Sequence, residues 1–253
     1  MGRDHETSLK VLVADLHIHT CLSPCATLDM TPRKIVRAAR DKGLDIIAVT
    51  DHNSAENAGA VMAAAGDAGP SVIPGIEVTT SEEVHILGLF GGVREALAMQ
   101  DLVYENLQPG ENDEDLFGMQ VIANEFDEVE GFNKRLLIGA TALPIGEVVT
   151  AIHRFHGLAV AAHMDREAFS IVGQLGFIPE DLPLDALEVS KGVPLALARA
   201  RFSRYEDFAF ITSSDAHQIG EVGTSPTSFL VAGPDLAELS LAFRGRGNRD
   251  VRT

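Results

Sequence analysis

Short apolar runs recur along this chain, and nearly every one ends in, contains or opens on a His, Asp or Glu. Val11–Ala14 leads into Asp15-Leu16-His17-Ile18-His19-Thr20, and Ile46–Val49 into Thr50-Asp51-His52-Asn53. Val72–Val78 contains Glu77, and Val84–Phe90 carries His85 near its start. Leu158–Ala162 ends at His163, Ala186–Val189 contains Glu188, and Phe208–Thr212 runs up to Ser214-Asp215-Ala216-His217. Scattered surface residues would not track the apolar pattern in this way.

Helical patterns lie between these runs: Thr31–Gly43, Ser54–Gly69, Val93–Leu107, Ile145–His156, Ile171–Leu175, Leu195–Phe202 and Leu236–Phe243. In the first, Thr31 is a candidate N-cap, Pro32 suits the first helical position and Gly43 is a stop. Met119–Ala123 and Val129–Phe132 suggest a β-hairpin inside an insertion at about residues 93–144. Phe229–Ala232 is a last strand. Repeated strand–helix units with apolar strands imply a parallel sheet covered by helices. About seven such units suit a closed barrel better than an open sheet. The expectation is a single α/β domain over residues 1–253. Neither a G-x-G-x-x-G fingerprint nor a P-loop is present.

In a parallel barrel the strand ends share one rim, where barrel enzymes carry their chemistry. His17 and His19, two apart on a strand, point to the same face. Asp215 and His217 repeat that spacing. Taken singly, Asp51-His52, Glu77, His85 and His163 are each compatible with a turn or a solvated loop. Jointly they form a donor set of imidazoles and carboxylates, which suits zinc, iron or manganese rather than calcium. So many candidate ligands imply two or three divalent ions, with Glu77 or Asp215 able to bridge. Such a cluster activates water and clamps the oxygens of an ester, so phosphate-ester hydrolysis is the expected reaction.

The same motifs, with Pro74-Gly75-Ile76-Glu77 and His85-Ile86-Leu87-Gly88, resemble in order and spacing those of the PHP (polymerase and histidinol phosphatase) family. That resemblance implies a distorted (β/α)7 TIM-like barrel, a trinuclear metal centre at the strand ends and phosphoesterase activity. It implies one ion on His17, His19, Glu77 and Asp215, and a second on Glu77, His85 and His163. It implies a third on His52, His217 and a ligand from the loop after the first motif. The slot for that ligand, which the family usually fills with His or Asp, holds Cys25. A thiolate there would favour zinc or iron; the alternative is a small cysteine packed beneath the rim. Cys21 reads as structural.

Asp15 is expected to orient an imidazole by hydrogen bond. Asp215 and His217 are expected to handle protons, and Arg166 to grip a substrate phosphate unless it pairs with Asp165 or Glu167. Lys191 is a second candidate for the phosphate. Glu188 has no assigned role. His153 and His156 read as helix residues, and His5 as part of a frayed end.

Composition narrows the partners. The chain has 37 acidic and 20 basic side chains, for a net charge of −17, with nine His, two Cys and no Trp. That balance argues against a generic basic surface for long nucleic acid and favours a small phosphorylated substrate such as a phosphomonoester or nucleotide. Residues 111–130 carry eight acids and no Lys or Arg. The insertion is thus either a solvated, solubilising hairpin, the preferred reading, or a screen against polyanions. A nuclease acting on short nucleic-acid ends and a non-catalytic metal-binding module are the alternatives. No stretch approaches membrane-spanning length, and Cys21 and Cys25 are too close to staple a fold, so a cytoplasmic setting without a membrane partner is expected.

Overall fold

The computed structural model describes residues 8–252; His5 and most of the polar start lie outside them. The strands are β1 (Lys10–Ile18), β2 (Ile46–Val49), β3 (Ser71–Thr79), β4 (His85–Leu89), β5 (Val121–Ala123), β6 (Val129–Phe132), β7 (Leu158–Ala161), β8 (Ala186–Val189), β9 (Ala209–Thr212), β10 (Thr227–Val231) and β11 (Asp250–Arg252). The helices are α1 (Pro32–Asp41), α2 (Ala58–Ala65), α3 (Val93–Asn106), α4 (Glu114–Phe117), α5 (Ile145–Arg154), α6 (Ile171–Leu175), α7 (Leu195–Arg201) and α8 (Leu236–Phe243).

Nine strands form one nearly closed, barrel-shaped sheet in the order β11-β10-β1-β2-β3-β4-β7-β8-β9, and β5–β6 stand apart as the expected hairpin. Strands β1–β3 are mutually parallel, as are β7–β9. The sheet departs from all-parallel at β4, which is antiparallel to both β3 and β7. The cause is local: Thr80–Val84 closes a tight turn, with the Thr80 N–H donating to the Val84 carbonyl at 2.9 Å. Running backwards, β4 brings its first residue to the rim, so His85 pairs with Thr79 at the C-terminal end of β3. The return strands β10 and β11 are likewise antiparallel.

The barrel interior is filled by Leu12, Ala14 and Leu16 of β1, Ile46 and Ala48 of β2, Leu87 and Leu89 of β4, Val160 of β7 and Ile211 of β9. An outer layer packs Ile35, Val36 and Ala39 of α1 against Ile47, Val49 and Val61. Ile18 belongs to this outer layer although Leu16 points inward. Strict alternation would put both on one face. The register of β1 against β2 shifts between Asp15 and Ile18, a bulge that turns Ile18 outward and His17 towards the barrel axis. Bulges commonly re-aim side chains beside active sites.

Two helix starts differ from their sequence pattern for identifiable reasons. Thr31 occupies the N-cap position of α1, but its hydroxyl makes no capping bond. The Asp127 carboxylate, from the insertion, accepts the Arg33 N–H at 2.8 Å instead. α2 begins at Ala58 rather than Ser54 because the preceding polar residues are engaged elsewhere. Ser54 Oγ lies 2.8 Å from the Tyr104 hydroxyl, and Asn57 Nδ2 donates to Thr20 Oγ1 at 2.9 Å and the Val121 carbonyl at 3.0 Å.

Those last bonds dock the insertion onto the rim. Val121 N–H donates to the Cys21 carbonyl at 2.9 Å, and Ala123 N–H to Asn57 Oδ1 at 3.0 Å. Asn53 Nδ2 donates to the Leu137 and Gly139 carbonyls at 2.9 and 2.8 Å. The insertion is therefore more than a solubilising hairpin: it builds part of the rim wall.

Candidate metal centre

Six imidazoles and two carboxylates, expected from separate strand ends, meet at the C-terminal rim. His17, His19, His52, His85, His163, Glu77 and Asp215 are buried, and His217 is half-buried. Glu77 is the hub. Its carboxylate lies 2.9 Å from His52 Nδ1, 2.8 Å from His85 Nδ1 and 3.3 Å from His163 Nε2. The Nε2 atoms of His17 and His19 are each 3.4 Å away. Asp215 Oδ1 approaches those two nitrogens at 3.3 and 3.2 Å. His163, at the end of β7, and Asp215, beyond β9, have positive φ of 29° and 48°, conformations that bulky L-residues adopt at a cost and that cluster at functional sites.

The electrostatics follow from this geometry. Burial works against ionising Glu77, but His85, His17 and His52 overcome it and hold the carboxyl well below its usual range. Asp215 is likewise held low, burial again being outweighed, here by His17 and His19. Burial also opposes charge on His17, yet Glu188, Asp215 and Glu77 raise it well above the ordinary imidazole value. His19 is pushed well below, by burial and by His217.

This arrangement fits cations. His17 Nδ1 lies 3.1 Å from Glu188 Oε1 and His19 Nδ1 lies 2.9 Å from Ser23 Oγ. Ser23 Oγ in turn donates to Asp51 Oδ1 at 2.7 Å. With Nδ1 of each ring acting as the donor, the two Nε2 atoms carry lone pairs. They face each other at 3.2 Å, so the pair needs either a proton on one Nε2 or a cation held by both. The short His52 Nδ1–Glu77 and His85 Nδ1–Glu77 contacts lack hydrogen-bond geometry, which leaves His52 Nδ1, Glu77 Oε2 and His85 Nδ1 buried with no hydrogen bond. Buried polar groups are normally paired, so these atoms await another partner. His19–His52–His217, His17–His19–Glu77 and His52–Glu77–His85 each group ligand atoms within 4.8 Å of one another.

Around the donors lies a cavity of about 210 Å³ whose lining includes Cys25, Arg166, Phe169 and Ile138. Cys25 is exposed, so it does not pack beneath the rim. Burial raises its thiol, but neighbouring His52 and His217 bring it down to about 7. Cys21 is buried, with its thiol pushed up to about 12 by burial. Arg166 pairs with neither Asp165 nor Glu167; its Nη2 donates to Asp215 Oδ2 at 2.5 Å. Lys191 is engaged elsewhere, donating to Glu221 Oε1 at 2.7 Å, and Glu221 accepts the His217 N–H at 2.9 Å.

Asp15 does not orient an imidazole; its carboxylate accepts the Ser214 and Gly223 N–H groups at 2.9 and 2.8 Å, tying β1 to the loop after β9. The orienting residue is Glu188, which accepts from His17 and also from the His163 N–H at 3.1 Å. Its position at a strand end was the only signal for it. His153 lies away from the centre and bonds Asp185 at 2.8 Å.

A PHP domain family model matches residues 15–171 of the chain. An uncharacterized protein of Methanocaldococcus jannaschii is 35% identical over 85 residues, covering 30% of this chain and 49% of that protein. The crystal structure of a lesion-specific endonuclease of Pyrococcus furiosus superposes with a TM-score of 0.76 at 18% identity, covering 96% of this chain and 58% of that one. A Bifidobacterium adolescentis structure described as a metal-dependent phosphoesterase gives 0.54 at 21% identity, covering 82% and 88%. At these identities the structural likenesses are likenesses of fold. The chain spans about half the length of the archaeal relative. None of the helices among the described residues is long and apolar enough to cross a membrane. With the family model matching residues 15–171, more than half of its length, the chain belongs to the PHP domain family.

Proposed function

We propose that the protein is a metal-dependent phosphoesterase acting on a small phosphomonoester or nucleotide. The observation that carries this reading is the convergence of imidazoles, Glu77 and Asp215 on one small cavity that also holds a guanidinium. Divalent ions bound there supply Lewis acidity, activating water and offsetting charge on the phosphoryl oxygens. His17, His19, Glu77 and Asp215 would hold one ion, and Glu77, His85 and His163 a second. Arg166 keeps Nη2 on Asp215 and offers its remaining N–H donors to a phosphate oxygen.

His217 commits Nδ1 to the Asp215 carbonyl at 2.9 Å. Burial opposes its charge, but Cys25 and Asp215 raise it above the usual imidazole value, which suits Nε2 to give a proton to the leaving oxygen. In the reaction the water oxygen bonds to phosphorus, the ester P–O bond breaks, the leaving oxygen takes that proton, and the proton given up by the water restores His217. A third ion on His52, Cys25 and His217 would engage the same nitrogen, and the metal count separates the two arrangements. The cavity volume of about 210 Å³ and the acidic insertion docked on the rim both favour small substrates.

One observation favours a nuclease as a second reading. A groove on α1 carries Arg33, Lys34, Arg37 and Arg40 beside Asp41 and Asp127, and its excess of cations suits a phosphate backbone. The fold likeness to the endonuclease points the same way. Phosphate release from monoesters and nucleotides, and cleavage of short oligonucleotides, with and without chelator, test both readings. No turnover of any ester by the metal-loaded protein sinks them together. A lowered melting temperature with unchanged activity in His17→Ala would instead point to a structural metal.

A further inference from the structure

One residue at the cavity mouth has no part in the chemistry above. Phe169 belongs to the loop between β7 and α6 that also carries His163 and Arg166. Its ring stacks on His85 with centroids 4.8 Å apart and planes 25° from parallel. Its carbonyl accepts the His85 N–H at 3.0 Å. Yet Phe169 is 44% exposed, so the ring is not there simply to be buried. Its φ is 58°, an outlier for a bulky residue and a sign of imposed strain.

The loop is built to hold it. Ser170 Oγ donates to the Arg166 carbonyl at 2.6 Å and accepts the Gly173 N–H at 2.9 Å. Asp165 accepts both the N–H and the hydroxyl of Ser190 at 2.7 and 2.8 Å. Gly173 lies so close that a Cβ would meet the Glu167 carbonyl oxygen at 2.6 Å. A braced loop thus presents a partly exposed aromatic ring, stacked on a metal-centre imidazole, beside the guanidinium proposed to grip phosphate.

We propose that Phe169 is a stacking platform for a planar ring in the substrate, so that the preferred phosphoesters carry a heterocycle near the phosphate, a nucleobase being the biological case. The inference rests on the phosphoesterase reading for its substrate class, but the stacking has its own readout. Aromatic faces accept any base by stacking. An aliphatic ester of the same phosphate would lack this contact.

The test uses the full chain, metal-loaded, as wild type, Phe169→Ala and Phe169→Trp. Adenosine 5′-monophosphate is compared with ribose 5-phosphate, which has the same ester without the base. The expected result is a preference for the nucleotide in kcat/KM that falls about tenfold in Phe169→Ala and survives in Phe169→Trp. Separately, 2-aminopurine riboside 5′-monophosphate should be quenched by stacking on wild type and much less by Phe169→Ala. Equal losses for both esters, with reduced metal content, would assign Phe169 to supporting His85 and overturn the proposal. So would identical quenching by wild type and Phe169→Ala. Quenching that depends on Phe169, without turnover of any ester, would keep the platform and remove the phosphoesterase reading. Turnover of the mononucleotide alone assigns the ring to a free nucleotide; turnover of a 5′-phosphorylated single strand assigns it to a strand end.

Discussion

His17 Nδ1 lies 3.1 Å from Glu188 Oε1, and the same oxygen accepts the backbone N–H of His163 at 3.1 Å. One carboxylate, almost wholly buried, thereby fixes a ring on β1 and the backbone of a second donor beyond β7. Partners of this kind set the tautomer of a ligating imidazole and keep its metal-facing lone pair aimed. Glu188→Gln should therefore lower metal affinity by about 10–100-fold while the circular dichroism spectrum stays unchanged. Chelator competition measures it; an unchanged affinity would show that Glu188 does not orient the site.

The two cysteines should differ sharply towards iodoacetamide. Cys25 is exposed with its thiol near 7, whereas Cys21 is buried with its thiol near 12. Because the thiolate is the nucleophile, one modification per chain is expected at neutral pH in the metal-free protein, at Cys25, by peptide mass analysis. Saturating zinc should protect Cys25 if it is the third-site ligand. Undiminished labelling in the presence of zinc would remove it from the ligand set.

Much of this site was readable from residue order, because apolar runs place strands and His or Asp at their ends marks the rim. His17 and His19 share a face as their spacing implied, though a bulge in β1 decides which face. Bulges leave no mark in an apolar pattern. The direction of β4 was equally hidden: His85-Ile86-Leu87-Gly88-Leu89 is buried throughout and reads the same either way. Its antiparallel course is set by the Thr80–Val84 turn. The short β11 escaped notice because its charged, exposed ends resemble a loop. The orienting role expected of Asp15 falls to Glu188, to which the sequence assigns none, since both are buried acids at strand ends and only the fold decides which meets an imidazole.

Arg166 should be required for its fork geometry as well as its charge. Its Nη2 is already on Asp215, so phosphate must be met by the remaining donors. A lysine ammonium lacks the planar fork and the reach to serve both partners equally well. Arg166→Lys should lower kcat/KM on a phosphomonoester by about 100-fold, with metal content unchanged. Steady-state kinetics alongside elemental analysis check this. Activity within a few-fold of wild type would place the phosphate elsewhere.

Far from the centre, Asp185 should govern part of the acid stability. Burial raises its carboxyl, but the His153 hydrogen bond, the Ala159 N–H and Arg244 outweigh it, leaving the value below the ordinary one. A depressed carboxylate stabilises the fold fully above its unfolded value and loses that contribution as pH falls through the folded value. Urea midpoints for wild type should therefore drop more steeply than those for Asp185→Asn as pH falls below about 4. Parallel pH profiles would contradict this.

The account stands most directly on metal content measured together with phosphate release. Elemental analysis of protein purified without added metal, then assayed on the ester panel before and after chelation, is the decisive measurement. The account predicts two or three equivalents of zinc, iron or manganese per chain, and phosphate release that disappears with the metal and returns on its restoration. Three equivalents falling to two in Cys25→Ala would identify the third site. A fully metal-loaded protein that releases phosphate from no ester, or phosphate release that persists after the metal is gone, would contradict the account.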